Sequence, residues 1–579
     1  MSTRSASTRA AAVVGGYRLA PAAAAAGVPV DARSGMQSRG NAAVRVLAVL
    51  TVIGALMAAE AVAQSDARRG TEVDLATLDT VEVRSIRVDG SSVFTAAELA
   101  AAVAPYEQRA ITFEELDELR HALSQRYAAR GYVSSGVVIP DQRILDGVVT
   151  LQAVEGGLTD ITVSGNRRLR ERTIERRIEH RLGVPLNVND LQAALHALQE
   201  DPLIQRIDAQ LLPGEALGES HLRLGVTERP PLDLAVIASN DRSASVGEDR
   251  GLLGLTYRGL IGNGDVLSGQ LGLTSGVRDS VLSYSVPIGA GGTALELLLT
   301  DQDADIVEDP FDTLDIESRL ESWSVTATRP FVEQSGQSVT GIAYFEHKRS
   351  ESTLLGMPFS FSPGDIDGKA EGSSVGIGAE WIRRGAAQAW SARATLRVGV
   401  DALDAMVRAA GPDGRFTAFL GQFQYLRQLA WRGSEVLVRQ TVQIAFDPLL
   451  AMYKLPIGGR YTVRGYRENS FVRDNGAAVS AEYRFAPWVD ATGQPRGRFE
   501  LAVFADYGVS WDEDNALATS REERIASVGL GTLWNPIPWL NVEVYWGDAL
   551  DEPSDPGESL QDRGIHYRVA FQKSFRKPL

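Results

Sequence analysis

Two short segments hold the residues with the clearest chemical meaning. The first, Gly458–Tyr466, reads GGRYTVRGY and carries Arg464 between glycines that permit tight backbone turns. The second, Phe504–Gly508, reads FADYG and carries a single carboxylate, Asp506, in an otherwise apolar alternation. The period of two along a strand places this acid on one face only. A lone carboxylate on an inner strand face, near an arginine-bearing loop, indicates a loop that an ion pair holds inside an enclosed structure.

The C-terminal part of the chain is the candidate for this enclosing structure. Beyond Pro230–Pro231 helix signals vanish, and amphipathic runs of roughly ten residues alternate with turns rich in Gly, Asp, Asn and Pro. One apolar and one polar face suit either a soluble sandwich or a transmembrane barrel whose apolar face meets lipid. The number of runs, an apolar N-terminal segment and tryptophans near run ends favour the barrel. Sixteen strands are predicted, starting near Leu232, Gly251, Asp265, Ser280, Thr293, Glu317, Gln337, Ser373, Trp390, Phe416, Ser434, Ala478, Gly497, Glu522, Trp539 and Gly564.

This strand count places the two chemical segments in specific parts of the barrel. The long connection Pro448–Ala477, which contains Arg464, joins the eleventh and twelfth strands, and Asp506 lies on the thirteenth. Glycines in the connection allow it to fold back into the lumen, where Arg464 could pair with Asp506. The alternative interpretation is an ordinary exposed loop arginine and a solvated lumen acid.

Two shorter α/β units precede the barrel, at residues 83–156 and 157–229. Each is predicted to run strand, helix, helix, strand, strand, so the chain contains an internal repeat. Thr112 followed by Glu115 is a capping box at the start of the longer helix of the first unit. The predicted elements include helices Thr95–Val103 and Thr112–Arg130 and strands Tyr132–Ile139 and Gly147–Val154 in the first unit, and helices Arg170–Leu182 and Asn189–Leu198, the latter with Asn189 as N-cap, in the second.

The first helix of the second unit is unusually basic for this chain. Only three glutamates, Glu171, Glu175 and Glu179, accompany its arginines. The pattern is typical of a solvated helix surface, and it also fits contact with acidic lipid head groups or an acidic client. The arginines in and before this helix are Arg167, Arg168, Arg170, Arg172, Arg176, Arg177 and Arg181.

Composition excludes several classes of function. The 579 residues carry a net charge of −16, which disfavours nucleic acid as a partner, and contain no cysteine, which excludes disulfides and thiolate chemistry. The six histidines are scattered without H-x-x-x-H spacing, and no G-x-S-x-G occurs, so a hydrolase is disfavoured. Gly364–Ala370 lacks the spacing of a nucleotide-binding loop. No catalytic residue, cofactor or metal site is predicted.

The N-terminal region indicates secretion. The apolar run Val46–Ala59 follows Arg39 and Arg45 and precedes Ala61–Ala63, a small-x-small pattern, so residues 1–63 are predicted to be a signal peptide with an extended first part. Met36 would give a signal of ordinary length and is the expected true start. The alternative is a disordered cytosolic arm. Residues 64–82 are predicted to be a linker.

Taken together, these motifs resemble a known superfamily. Val463-Arg464-Gly465-Tyr466 is similar to the inward-loop signature of Omp85-superfamily transporters, and Phe504-x-Asp506-x-Gly508 is similar to their strand motif. The two α/β units resemble POTRA (polypeptide-transport-associated) domains, and two is the number typical of TpsB transporters of two-partner secretion, the ShlB/FhaC/HecB family. The first unit also resembles the ShlB-type POTRA in the run from Tyr127 through Arg130-Gly131-Tyr132 to Ile139-Pro140 and Glu155-Gly156. The likeness covers about Val83–Phe575.

The resemblance implies a fold and a location. The expected fold class is a membrane protein with a 16-stranded antiparallel transmembrane β-barrel, residues 230–579, preceded by two periplasmic α/β POTRA domains in the Gram-negative outer membrane. Some relatives carry an N-terminal helix that plugs the barrel, but residues 64–82 are too few for both a helix and a linker. The barrel would end on Phe575, the aromatic residue that the barrel-assembly machinery is expected to use during insertion.

The resemblance also implies a function. One large secreted exoprotein of the TpsA type would bind the POTRA domains and pass through the barrel, embedded in outer-membrane lipid, without ATP, while the Arg464 loop docked on Asp506 acts as a gate. We expect the client to add a strand along Val133–Ile139, beside the helix Phe113–Arg130. The residues expected to contact the client are Phe113, Leu116, Tyr127, Val133, Val137 and Ile139.

Two other functions remain open at this point. An outer-membrane protein assembly and insertion factor would use the same fold, although such insertases usually carry more POTRA domains. A diffusion porin would explain the strands but would leave two client-binding units without a purpose.

Overall fold

The computed structural model describes residues 80–334, 336–408, 411–431, 433–489, 499–513, 522–551 and 557–575. These residues form two compact units that divide between Arg229 and Pro230. The predicted signal peptide, its expected start at Met36, any plug helix and residues 64–79 of the predicted linker lie outside the described residues.

The N-terminal unit contains two α/β domains, and the first begins slightly earlier than predicted. Its first strand, β1 at Val81–Val83, pairs with β3, so residues 81 and 82 belong to the domain rather than to the linker. The main sheet has the order β2-β5-β4, with β2 and β5 parallel. Among the described residues, no helix is both long and apolar enough to cross a membrane. The elements are β1 Val81–Val83, β2 Ser85–Asp89, α1 Ala96–Val103, β3 Arg109–Ile111, α2 Phe113–Ala129, β4 Gly136–Val138 and β5 Val148–Val154.

Helix α2 is the main support of this first domain. Its start matches the predicted capping box, because the Thr112 hydroxyl accepts from the Glu115 amide while the Glu115 carboxylate accepts from the Thr112 amide. Leu116, Leu119, Leu123 and Tyr127 recur at helical spacing and are buried against the sheet. The edge strand β4 has only three residues, fewer than the predicted Tyr132–Ile139, because residues 132–135 form a turn.

The second domain has a similar order of elements, but its second helix begins earlier than predicted. The N-cap of α4 is Asn187, whose side chain accepts a hydrogen bond from the Asn189 amide, so the predicted cap at Asn189 is wrong by two residues. The sheet order is β6-β8-β7, which leaves β7 at one edge. The elements are β6 Gly157–Ser164, α3 Glu171–Glu179, α4 Val188–Gln199, β7 Ile204–Pro213 and β8 Glu219–Glu228.

The second unit is a closed barrel of sixteen main strands, as predicted. Every neighbouring pair is antiparallel, and the last strand closes on the first, with Phe575 opposite Leu232. We call the end of the barrel with this pair the proximal end. Each predicted strand start lies within four residues of an observed one, and β16 (Met357–Pro358) only extends the hairpin after β15. The main strands are β9 Leu232–Ser239, β10 Arg250–Arg258, β11 Val266–Leu273, β12 Val277–Ile288, β13 Thr293–Asp305, β14 Ile316–Gln334, β15 Gln337–Leu354, β17 Lys369–Arg384, β18 Gln388–Val400, β19 Thr417–Gln428, β20 Glu435–Ala445, β23 Asn475–Phe485, β24 Phe499–Trp511, β25 Glu523–Ile537, β26 Leu540–Ala549 and β27 Ile565–Phe575.

The barrel wall is apolar outside and polar inside. Along β24, Val503 and Tyr507 are exposed on the outer face, whereas Phe504 and Asp506 are buried on the inner one. A soluble sandwich would bury the apolar face and expose the polar one. The observed arrangement is the reverse, so the sandwich interpretation is wrong and the outer face is the one that suits lipid.

Candidate functional site

The connection between β20 and β23 folds into the barrel, and we call residues 446–474 the inward loop. The strand β23 begins at Asn475, so the last three residues of the predicted connection belong to the wall. Inside the loop, β21 (Leu455–Ile457) pairs with β22 (Phe471–Arg473) and gives the segment a rigid two-stranded stem. The residues between these strands form the tip of the loop, and Val463–Tyr466 are all buried there.

Arg464 lies at the centre of this tip and is the largest fully buried side chain among the described residues. It donates to Asp506 from its backbone N (3.0 Å), its Nε (2.8 Å) and its Nη2 (2.8 Å). Nη1 donates to Glu482, and Nη2 also donates to the Ser480 hydroxyl at 3.0 Å. The planar guanidinium therefore holds side chains of two adjacent strands, β23 and β24, in a fixed geometry.

Aromatic rings complete the surroundings of the guanidinium. The Arg464 Cζ lies 3.5 Å from the ring centroid of Phe504 and 4.8 Å from that of Tyr545. The Tyr545 hydroxyl donates to Glu482 at 3.0 Å, and Arg484 donates to the same carboxylate. The rings exclude water from the ion pairs, which strengthens the electrostatic attraction at this point.

Glycines allow the loop to approach the wall this closely. Gly465 adopts φ +92°, and a Cβ on it would lie 2.9 Å from the Gly547 carbonyl oxygen of β26. A Cβ on Gly508 would lie 2.7 Å from Ile457 and 2.8 Å from Val463 of the loop. Glycine is therefore required at positions 465 and 508, because backbone or apolar side chains lie in direct contact with them.

The flanking motif residues anchor the tip by packing and hydrogen bonds. Val463 is buried in a cluster with Ile457, Tyr466 and Ile525. The Tyr466 hydroxyl donates to the Ala526 carbonyl at 3.0 Å and accepts from the Asp551 amide at 3.1 Å. We call Val463–Tyr466 together with Ser480, Glu482, Phe504, Asp506, Gly508 and Tyr545 the tip site.

Two further arginines of the loop reach other parts of the barrel. Arg460 pairs with Glu543 on β26. Arg467 pairs with Asp562, before β27, and with Glu308, after β13. These two arginines and Arg464 have three different sets of carboxylate partners, which spreads the attachment of the loop over the wall.

A second attachment lies six strands away from β24, on β15 and its neighbours. The Lys348 ammonium, fully buried, donates to the Met452 carbonyl at 3.2 Å and lies 4.9 Å from the Tyr453 ring centroid. Glu346 lies 3.6 Å from Lys348 and 3.7 Å from Arg397. We call these five residues the base site. Because it and the tip site lie on separated parts of the wall, the inward loop crosses the lumen.

Several residues of both sites were not identified from the sequence. Glu482 follows the same inward alternation in β23 that identifies Asp506 in β24, so a search of the adjacent strand for acids could have found it. Lys348 and Tyr545 carry no comparable signal. Their role depends on which distant strands the loop reaches, and that is a property of the closed barrel.

Three of the six residues predicted to bind a client are buried. Leu116, Tyr127 and Val137 are buried in the core of the first domain, because each lies on the face of α2 or β4 that packs against the other. The prediction that these three side chains contact a client is therefore wrong for this structure. Phe113 is 38% exposed. Val133 lies in the turn before β4 rather than on the strand, and Ile139 is half-buried just after it.

Tyr127 has a structural role in this domain. Its hydroxyl donates to Glu155 at 3.0 Å and lies 2.7 Å from the Ser91 hydroxyl. Burial raises the pKa of Tyr127 to about 12. Burial also acts to raise the pKa of Glu155, but hydrogen bonds from Ser92, Val93 and Tyr127 outweigh it and lower that pKa. The carboxylate thus stays charged and holds the turn after β2.

The comparisons with known proteins agree with this architecture. The profile of the family described as "Haemolysin secretion/activation protein ShlB/FhaC/HecB" matches residues 218–533, and that of the "POTRA domain, ShlB-type" matches residues 81–156. The outer membrane transporter CdiB of Dickeya dadantii (strain 3937) is 28% identical over 168 residues, which is 29% of this chain and 29% of the relative.

Solved structures show the same fold. CdiB from Escherichia coli superposes with a TM-score of 0.64 at 18% identity, covering 88% of this chain and 93% of that one. BamA from Haemophilus ducreyi, in a form lacking POTRA domains 1–3, superposes with a TM-score of 0.52 at 12% identity, covering 85% of this chain and 100% of that one.

The sixteen-stranded barrel, the inward loop and the preceding α/β domains define an outer-membrane protein of the Omp85 superfamily with periplasmic POTRA domains. Within that class, the chain belongs to the ShlB/FhaC/HecB family of haemolysin secretion/activation proteins, the TpsB transporters, because the family profile covers more than half of its length.

Proposed function

We propose that this protein exports one large, extended polypeptide from the periplasm to the cell surface in two-partner secretion. Family membership supports a transport role, and the curated relatives are described as outer membrane transporters. The observation that carries the proposal is the inward loop, which crosses the lumen and is held by side-chain contacts rather than by covalent bonds. A polypeptide can pass only if this loop moves.

The tip site is the proposed gate. Arg464 attaches the loop to Asp506 and Glu482, and Val463, Gly465 and Tyr466 fix its position against Phe504, Gly508 and the neighbouring strands. Removing one partner of a buried ion pair costs about 3–5 kcal/mol, since a charge is left without compensation. Water that enters the lumen during opening solvates the separated charges and lowers this cost. The ion pairs therefore hold the loop strongly while water is excluded and more weakly once opening admits water.

The proposed capture sites are the exposed sheet edges of the two POTRA domains. In the first domain, β4 is an edge strand, but it offers three residues only, between Val133 and Ile139. In the second domain the edge strand β7 has ten residues, Ile204–Pro213. A client that adds a strand would gain more main-chain hydrogen bonds along β7, so we place the longer capture site there and a short one at β4 beside Phe113.

No nucleotide is proposed as an energy source. The sequence contains no Walker motif, and the periplasm-facing units are small α/β domains. Folding of the client outside the cell would make export irreversible. The proposed partners are the secreted TpsA-type client, outer-membrane lipid around the barrel and the barrel-assembly machinery during insertion.

The test of the gate uses export by living cells. Arg464→Ala and Asp506→Asn variants should alter the amount of client in the medium while the level of the folded barrel in the membrane stays unchanged. A charge swap between Arg464 and Asp506 alone is expected to rescue poorly, because it places the new acid beside Glu482. Adding Glu482→Gln to the swap should improve the rescue. Normal export by both single variants would exclude the gate.

The alternative function is insertion of other barrels into the outer membrane. The likeness to BamA is a likeness of fold, so it does not by itself favour this role. Removal of the gene distinguishes the two: an exporter should lose one large secreted protein from the medium, whereas an assembly factor should deplete many outer-membrane proteins at once.

A further inference from the structure

The second POTRA domain carries a group of mostly exposed arginines on and just before helix α3. Ile174 and Ile178 bury one side of α3 in the domain core, and Arg172 and Arg176 lie one turn apart on the opposite, exposed side. Three more arginines precede the helix, of which Arg168 is half-buried. We call this group the arginine surface: Arg167, Arg168, Arg170, Arg172 and Arg176.

These arginines differ from the structural arginine of the same helix. Arg177 pairs with the buried Asp201 and so has a place in the domain core. None of the five side chains of the arginine surface forms an ion pair within the described part of the chain. The glutamates of α3 lie on another side of the helix, where burial first, then Glu171 and Glu179, raise the pKa of Glu175. Arg172 offsets part of this rise, but the five arginines of the surface outnumber the three glutamates of the helix.

Backbone hydrogen bonds fix the position of this surface within the domain. The carboxylate of Glu228, the last residue of β8, accepts from the backbone N of Arg167 (2.8 Å), Arg168 (2.8 Å) and Leu169 (2.9 Å). Only three residues, 229–231, separate Glu228 from Leu232, the first residue of the barrel. The carboxylate that holds the start of the arginine surface therefore belongs to a residue only four positions before the first barrel strand in the sequence.

We propose that the arginine surface docks on anionic phospholipid head groups of the periplasmic leaflet of the outer membrane. The arginine guanidinium is the side chain best suited to phosphate, because its planar donors bind two oxygens at once. The chain as a whole is acidic, with a net charge of −16, so a local basic surface would be the part that an anionic bilayer attracts. An acidic polypeptide is the competing partner. The hydrogen bonds that tie this surface to Glu228, four residues before the first membrane strand in the sequence, favour lipid.

The test uses the full-length chain, whose lack of cysteine makes single-site labelling straightforward. A fluorophore is attached through His180→Cys, an exposed position next to Arg176, and the protein is placed in nanodiscs whose lipid head groups carry a quencher. Nanodiscs of phosphatidylglycerol mixed with phosphatidylcholine are compared with phosphatidylcholine alone. We expect quenching with the anionic lipid, little without it, and loss of quenching as salt screens the charges.

A four-residue variant and a matched control sharpen the test. Each arginine near an anionic surface contributes about fivefold to association, so replacing four should reduce the docked fraction well over tenfold. The variant is Arg167→Gln/Arg168→Gln/Arg172→Gln/Arg176→Gln, and the control, with the same change in charge on exposed sites of the first domain, is Arg84→Gln/Arg87→Gln/Arg126→Gln/Arg143→Gln.

Two results would overturn the inference. Equal quenching in both lipids would show that head-group charge plays no part. Unchanged lipid quenching in the four-residue variant, together with lost export, would show that the surface binds the client instead. The lipid measurement needs no client, so it stands even if the proposed export function fails.

Discussion

Two of the sites that attach the inward loop to the barrel use different electrostatic designs. At the tip site the loop supplies the cation, Arg464, and the wall supplies the acids, Asp506 and Glu482. At the base site the wall supplies both charges, through Lys348 and Glu346, and the loop offers a carbonyl oxygen and an aromatic ring. Withdrawal of the loop thus leaves Asp506 without its cation, although Arg484 of the wall still pairs with Glu482, whereas the wall charges at the base all pair with each other.

This difference indicates separate roles for the two sites. The tip site holds the loop strongly, but only in one position, because bidentate hydrogen bonds require a fixed geometry. The base site depends on packing and one hydrogen bond to a neutral carbonyl, and such contacts are individually weaker. We therefore expect the tip to set the barrier to loop movement and the base to act as a support. The predictions below test this comparison.

The largest expected effect follows Arg464→Ala. The change leaves Asp506 in the lumen without its cation, while Glu482 keeps Arg484, and docking should weaken by about 3–5 kcal/mol. Spin labels at Ser470→Cys in the loop and Val503→Cys on the outer face of β24 would report this as a longer, broader distance distribution. Arg524→Ala, which removes an exposed arginine paired with Glu522, serves as control. An unchanged distance would contradict the assigned role of the tip site.

A smaller effect is expected when one acid is neutralised, and the two acids should differ. Asp506 accepts three hydrogen bonds from Arg464, but Glu482 accepts one. Asp506→Asn should therefore weaken docking more than Glu482→Gln, by about 1.5–3 kcal/mol for the former, since the other carboxylate still compensates the guanidinium. The same label pair measures both. Equal effects, or a larger effect of Glu482→Gln, would show that the geometry at Asp506 is not decisive.

Next in size is Gly508→Ala, which tests packing at the tip without altering any charge. The added methyl group would lie 2.7 Å from Ile457 and 2.8 Å from Val463, so one of them has to move. Overpacking of this kind costs about 1–3 kcal/mol. Thermal unfolding of the barrel in detergent should show a lower midpoint, and Val463→Ala in the same chain should restore part of the loss. Gly529 is unsuitable as a control because it is also crowded, whereas Gly251→Ala adds a methyl group in open space.

The sequence was sufficient for the architecture but only for part of the attachment of the inward loop. Sixteen strand starts followed from period-two alternation and turn residues, because lipid outside and water inside impose the same pattern on every strand. Arg464 and Asp506 carry a local motif. The base site could not be predicted, because Lys348 lies about a hundred residues before Met452 and no local pattern records their meeting. Leu116, Tyr127 and Val137 were misassigned because an apolar stripe looks the same whether it faces a domain core or a client.

The smallest expected effect, and the one that separates the two sites, follows Lys348→Met. Methionine fills a similar volume but removes the hydrogen bond to the Met452 carbonyl, a loss of about 1 kcal/mol. Glu346 keeps Arg397 as its partner, at 3.7 Å, so the single change leaves no charge uncompensated. Amide hydrogen exchange should accelerate at residues 451–454, while the distance between the labels at Ser470 and Val503 stays as in the parent chain. If the tip distance also lengthened, the two sites would be coupled, and the base would share in setting the barrier rather than only supporting the loop.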